Sequence, residues 1–223
     1  MDFRVVLDPH EGLPRGGFCS PSACVQNKNG ETWCQKHLAD TQLFQLLEKV
    51  DSDFAEEAHQ QGCLFCGGKL HRADYERKPR GGPQWDWRHS FCCAEEGCRR
   101  RRTPASVRFL GRKVYAGLVV VLLSTMVHGL NEERFRRIRQ LLNTGDQLSR
   151  RTLERWRQWW LDTFVRCSFW KEARARFMPP LCEQTLPDFL CARFEIDTRD
   201  RLVALLKFLA PITTPTAWKE LVM

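Results

Sequence analysis

Two cysteine couples constrain this chain more than any other feature. The first reads Cys63-Leu-Phe-Cys66-Gly-Gly-Lys-Leu, and the second Cys93-Ala-Glu-Glu-Gly-Cys98, with the turn-rich stretch KPRGGPQ between them. A two-residue spacer lets both thiolates of the first couple reach one ion, and the following glycines permit the tight turn beneath it. The second couple supplies the other half of a tetrahedral four-cysteine site, with Cys92 an alternative ligand to Cys93. Zinc held in this way has no open position for water, so it contributes folding free energy rather than catalysis. His71 and His89 lie nearby in sequence, but each reads more simply as an ordinary polar or core histidine.

A second group, Cys19, Cys24, Cys34 and His37, has the spacing C-x4-C-x9-C-x2-H within a segment that lacks helix or strand periodicity. A region of about 25 residues cannot bury enough apolar surface to order itself, and a second zinc would supply the missing stability. A loosely ordered leader with unpaired thiols is the alternative. The chain has 11 cysteines in all. The start MDFRVVLDPHEGLP shows no basic segment followed by an apolar one, so the expectation is a reducing, cytoplasmic compartment with metal ligands and buried thiols instead of disulfides. The apolar run Val114 to Val127 is interrupted by Ser124 and Thr125. It falls short of the ~20 residues needed to span a bilayer, which predicts a buried core helix and no membrane association.

The net charge of +8 is unevenly placed. Residues 1 to 62 hold 5 Lys/Arg against 10 Asp/Glu, residues 63 to 176 hold 25 against 11, and residues 177 to 223 hold 5 against 6. A middle segment this basic attracts a polyanion, because each cation placed on a phosphate releases condensed counterions. The densest run is RRRRTPASVRFLGRK at residues 99 to 113, with Arg99, Arg100, Arg101, Arg102, Arg108, Arg112 and Lys113 and no acidic residue. Its place after Cys98 suits an arm that contacts a phosphate backbone.

Helical periodicity predicts elements near 41 to 59, 112 to 128, 132 to 142 and 149 to 170, and a last amphipathic helix from Asp200 to Leu209. Phe135, Ile138, Leu141 and Leu142 give the second of the three central helices an inward stripe. Asn143-Thr144-Gly145 offers a turn, and Ser149 is a natural cap for the third. In that third helix Leu153, Trp156, Trp160 and Phe164 recur at three- and four-residue steps. Arg150, Arg151, Arg155 and Gln158 are left for other faces, where a recognition helix would hold them against base edges. Trp156, Trp159 and Trp160 read as core at this spacing rather than as base-stacking groups.

At these residues the chain resembles the N-terminal half of bacterial insertion-sequence transposases and their short accessory DNA-binding proteins, over about residues 62 to 165. That family places a CxxCGG…C-x4-C zinc ribbon and an arginine-rich T-P-x-S turn before a helix-turn-helix. The resemblance implies binding to the ends of a mobile element, or repression of its promoter, in a bacterial cytoplasm on the nucleoid, with a transposase or recombinase as protein partner. Family transposases continue into a ribonuclease-H-like catalytic domain, whereas 53 residues follow Trp170 here. Asp188, Glu195, Asp197 and Asp200 lie too close together in sequence to suggest its three separated carboxylates. The expectation is therefore a non-enzymatic protein, mainly α with small zinc-stabilised β modules. Its parts would be an acidic N-terminal module at 1–61, a zinc ribbon with basic arm at 62–110, a trihelical helix-turn-helix at 111–176 and a helical tail at 177–223. Double-stranded DNA is the expected ligand. The alternative is a protein-interaction adaptor that touches nucleic acid without specificity.

Overall fold

The computed structural model describes residues 36–77, 86–110, 117–125, 131–142, 148–178 and 183–214. Helix α1, Thr41–Gln61, opens on Asp40, whose carboxylate accepts the backbone N–H groups of Gln42 at 3.1 Å and Leu43 at 3.2 Å. Such a cap satisfies donors that have no partner within the helix. It closes on Gly62, whose φ of 72° lies in the left-handed region.

Among the described residues five short strands follow: β1 Leu70–Arg72, β2 Tyr75–Arg77, β3 Asp86–Arg88, β4 Phe91–Cys93 and β5 Arg101–Arg102. They form two small antiparallel sheets, one in the order β1-β4-β5 and one pairing β2 with β3. In the first, Leu70 pairs with Cys93, His71 with Cys92, and Cys92 with Arg101.

The remaining elements are helical: α2 Gly117–Thr125, α3 Glu132–Leu142, α4 Arg150–Gln158, α5 Ser168–Ala173, α6 Asp188–Arg193 and α7 Arg199–Leu209. The mixture of helices and small antiparallel sheets agrees with the composition of the expected fold. Helix α3 has the bounds expected from its periodicity. The expected helix at 149 to 170 does not run through. From α4 the chain widens into a π turn at Trp159–Thr163, tightens into a 3-10 turn at Phe164–Arg166 and stops at Cys167, which is extended at φ −69° and ψ 148°. An aromatic cluster accompanies this break. Trp160 lies edge-on to Trp159 and to Phe164, and Phe164 packs on Trp170.

The described residues form two apolar cores of unequal size. The larger gathers Leu43, Leu47 and Val50 of α1, Val119 to Leu123 of α2, Ile138 of α3, Leu153 and Trp156 of α4, and Trp160, Phe164 and Trp170. Residues from Leu186 to Ile212 belong to it as well. The segment expected as a tail is thus built into the core, since α6 and α7 bury Leu190, Cys191, Leu202, Leu205, Leu206 and Leu209. The smaller core consists of Ala55, Ala58, Cys63, Leu70, Phe91 and Cys93. Helix α1 serves both, its first half in the larger and its second half in the smaller.

A buried polar node lies where α1 passes from one core to the other. Asp51, 1 % exposed, accepts from Ser106 Oγ at 2.6 Å, Val107 N at 2.7 Å and Arg108 Nε at 2.9 Å. Arg108 also pairs with Asp86 and donates to the Trp87 carbonyl. Among the described residues, no helix is long and apolar enough to cross a membrane.

Candidate metal centre and basic surface

The four predicted ligands Cys63, Cys66, Cys93 and Cys98 converge. Their sulfur atoms all lie within 4.8 Å of one another, with Cys66 and Cys93 at 3.4 Å and Cys63 and Cys98 at 3.7 Å. Metal–sulfur bonds of about 2.3 Å in a tetrahedron set neighbouring sulfurs about 3.8 Å apart, so the cluster has the dimensions a zinc ion requires. The donor set is all thiolate, the type that holds structural zinc with no open coordination position.

Backbone geometry prepares both couples. In the first, the Cys63 N–H donates to the Gly68 carbonyl and the Gly67 N–H to the Cys63 carbonyl, each at 2.9 Å. Gly67 turns the chain at φ 70°, and at Gly68 a side chain would meet Cys66 Sγ at 3.3 Å and Glu95 Cγ at 2.5 Å. The second couple closes when the N–H groups of Cys98 and Arg99 both donate to the Glu95 carbonyl at 3.0 Å. Strand register decides between the adjacent thiols. Successive residues of β4 face opposite sides, so Cys93 joins the thiol cluster, while Cys92 turns away and approaches the Arg99 carbonyl at 3.5 Å.

The environment separates the protonation of these thiols. Backbone N–H groups of Phe65 and Cys66 directed at Cys63 hold it at about 6, whereas burial pushes Cys93 up to about 12. Metal uptake must expel the protons that remain, so affinity rises with pH.

The second predicted group cannot be assembled from the described residues, because Cys19, Cys24 and Cys34 lie outside them. His37 is described, and it is buried with Nε2 donating to the Ile196 carbonyl at 2.7 Å. Burial lowers its pKa from 6.5, which keeps the ring neutral.

The arginines of the basic run divide. Arg99, Arg100 and Arg101 are exposed. Arg102 instead turns inward and donates to the carbonyls of Ala58 at 3.0 Å and Gly62 at 2.5 Å, fastening β5 to the end of α1. Arg108 is 7 % exposed and fully engaged in the Asp51 node. Arg108 is a correction to the expected phosphate-binding set, since a buried guanidinium bonded to internal acceptors cannot also meet a backbone in solvent, whereas Arg102 is half-buried with its guanidinium engaged by Ala58, Gly62 and Gln61. Arg112 and Lys113 lie outside the described residues. On α4, Arg150, Arg151, Arg155 and Gln158 are exposed, while Leu153 and Trp156 are buried. Ser149 caps this helix, its hydroxyl accepting from Thr152 N at 3.2 Å. Arg150 pairs with Glu154 at 3.3 Å, and Gln158 donates to Asp162.

Sequence reasoning missed Asp51 and Arg88. The signal for Asp51 was present, since it stands four residues after Leu47 on the buried side of α1. Arg88 is 4 % exposed, donates to the Pro104 carbonyl and lies 6.0 Å from the centre of the Phe109 ring. No family model matches this chain, and no curated protein or solved structure is significantly similar to it.

Proposed function

We propose that this chain binds double-stranded DNA sequence-specifically, as an end-binding or regulatory subunit of a bacterial mobile element, with a zinc ribbon at Cys63, Cys66, Cys93 and Cys98 and no catalytic step of its own. The observation that carries this reading is the division of α4. One side buries Leu153 and Trp156 in the core, and Arg150, Arg151 and Arg155 stand in solvent behind the Ser149 cap. A helix fixed by its apolar side and capped at its start can hold arginines rigidly enough to address guanine edges in a major groove. Arg99 and Arg101, exposed beside the metal site, are suited to phosphate contacts that fix register without reading sequence. Assignment to a mobile element rests on the resemblance of the cysteine spacing and the arginine-rich turn to transposase N-terminal regions. A transposase or recombinase of the same element is the protein partner that follows from it.

The test is selection of a preferred site from a randomised duplex library by the zinc-loaded protein, followed by affinity measurements on that site and on random duplex. Arg151→Ala or Arg155→Ala should weaken the preferred site by about 1 to 3 kcal/mol and random duplex far less. Arg99→Ala with Arg101→Ala should weaken both alike and flatten the salt dependence by about one unit per lost contact. If no sequence is enriched, or if the α4 variants lose both duplexes equally, the base-reading role is wrong.

A further inference from the structure

The tip of the first cysteine couple is apolar where a soluble surface has no use for it. Leu64 and Phe65, the two residues between Cys63 and Cys66, are 69 % and 66 % exposed. The Arg100 guanidinium lies 3.9 Å from the centre of the Phe65 ring, yet most of the side chain remains in water. Both partners of this pair are fixed by backbone. Phe65 sits in a turn pinned at each end by a ligand cysteine and by the 2.9 Å bonds of Cys63 and Gly67. Arg100 is held by its carbonyl, which accepts the Cys93 N–H at 2.9 Å.

The surroundings are cationic. Among the described residues between 63 and 102, Lys69, Arg72, Arg99, Arg100 and Arg101 are exposed, against the exposed carboxylates Glu76, Glu95 and Glu96. The three-stranded sheet adds to this. Phe91 of its inner face stacks on His59 of α1, and Arg102 is bonded to the end of the same helix. Alternation therefore places the cross-strand row His71, Cys92 and Arg101 on the opposite face.

From this juxtaposition we infer that Phe65 and Arg100 form a stacking platform for an unpaired base, and that Arg99 and Arg101 hold the adjoining phosphates of a single-stranded nucleic acid segment. A flat ring is a sequence-tolerant surface for any base, and a neighbouring guanidinium adds attraction both to the base and to the backbone. A purely apolar protein partner would have to cover these cations without compensation; a nucleic acid strand supplies a phosphate for each of them. The site shares Arg99 and Arg101 with the duplex-phosphate role proposed above, but its stacking element, Phe65 with Arg100, is separate from the α4 arginines and does not depend on duplex recognition by them. It gives the chain a second nucleic acid contact, selective for strands whose bases are splayed.

The experiment uses the full zinc-loaded chain and two fluorescent probes, an oligothymidylate of about 12 nucleotides, within the site size of known single-strand binders, and a blunt duplex of random sequence. Wild type should bind the single strand. Phe65→Ala should weaken that binding roughly 5- to 100-fold and leave the duplex nearly unchanged, while Phe65→Trp should retain it. Zinc content is measured for each variant, because a tip substitution leaves all four ligands in place and a loaded variant is a folded one. Phe65→Leu separates stacking from apolar contact, since it keeps the bulk and removes the ring. The inference is overturned if wild type fails to bind the single strand, if Phe65→Ala or Phe65→Leu binds it as wild type does, or if Phe65→Ala lowers both probes equally. Self-association that Phe65→Ala abolishes, with single-strand binding intact, would overturn it in favour of contact between copies. Failure of duplex site selection bears only on α4 and leaves this test standing.

Discussion

The cysteine module and the helical body solve the same problem with different materials. The body buries Trp160, Trp170, Phe164 and a dense set of leucines and valines, enough apolar surface to offset the conformational entropy of ordering its chain. The module has strands of two or three residues and a core of only Ala55, Ala58, Cys63, Leu70, Phe91 and Cys93. Such a core is too small to stand alone, and one ion held by the four clustered cysteines would close the deficit. A region stabilised by packing loses strength by increments; one stabilised by coordination loses it at a single event.

The largest expected effect follows from that event. Chelation, or Cys63→Ser, should unfold residues 62 to 102 while the body stays helical, because structural zinc contributes on the order of 10 kcal/mol to domains of this kind. Hydrogen exchange checks it. Protection should vanish at the backbone amides of β1 and β4 and persist in α2 and α7. Loss of protection in both regions together would show that the body depends on the metal, and the contrast would fail.

Asp51→Ala should come next. It leaves Arg108 with only part of its pairing in a buried site, and removing one member of a buried ion pair costs about 3 to 5 kcal/mol. Because the node ties α1 to the strand of chain at Ser106–Arg108, thermal unfolding should change from one transition to two, with zinc release preceding the melting of the body. A single transition at lower temperature would mean that the node stabilises without coupling.

The smallest effect is a pH dependence confined to the body. Burial depresses the pKa of His37 below its ordinary 6.5, so below pH 6.5 the unfolded chain binds a proton that the folded one refuses. Stability from this group is complete above 6.5 and falls as the pH drops from there toward the lowered folded value. Measured on the unfolding of the helical body, His37→Gln should remove that slope below pH 6.5. An unchanged slope would assign it to another group.

The convergence of Cys63, Cys66, Cys93 and Cys98 was legible because a shared ion would demand fixed short spacings, which sequence displays directly. The bounds of α3 were legible for a similar reason, its charged faces and apolar stripe leaving one helical phase. The choice of Cys93 over Cys92 was not, since it depends on β-strand register with Leu70 and His71, and alternation has no visible origin in a strand of three residues. Arg102 and Arg108 look like Arg99 to Arg101 in a string of letters. Only the carbonyls of Ala58 and Gly62 and the carboxylate of Asp51, far away in sequence, divide those that fasten the fold from those left in solvent. Residues 183 to 214 looked like an appendage because their buried groups are spread over short helices and turns, none long enough to show a period until α7.

Helix α1 sets the angular phase between the two regions. Its 21 residues span about 31 Å, and each residue turns the axis by about 100°. One residue inserted between Asp51 and Ala55 would rotate the cysteine-bearing half by that angle against the larger core, pulling Asp86 and Trp87 away from Arg108, which Asp51 holds on the other side. Four inserted residues would nearly restore the phase and separate the halves by about 6 Å. The length of this helix is therefore set modulo a turn, as the teeth of a gear must match in number before their strength matters.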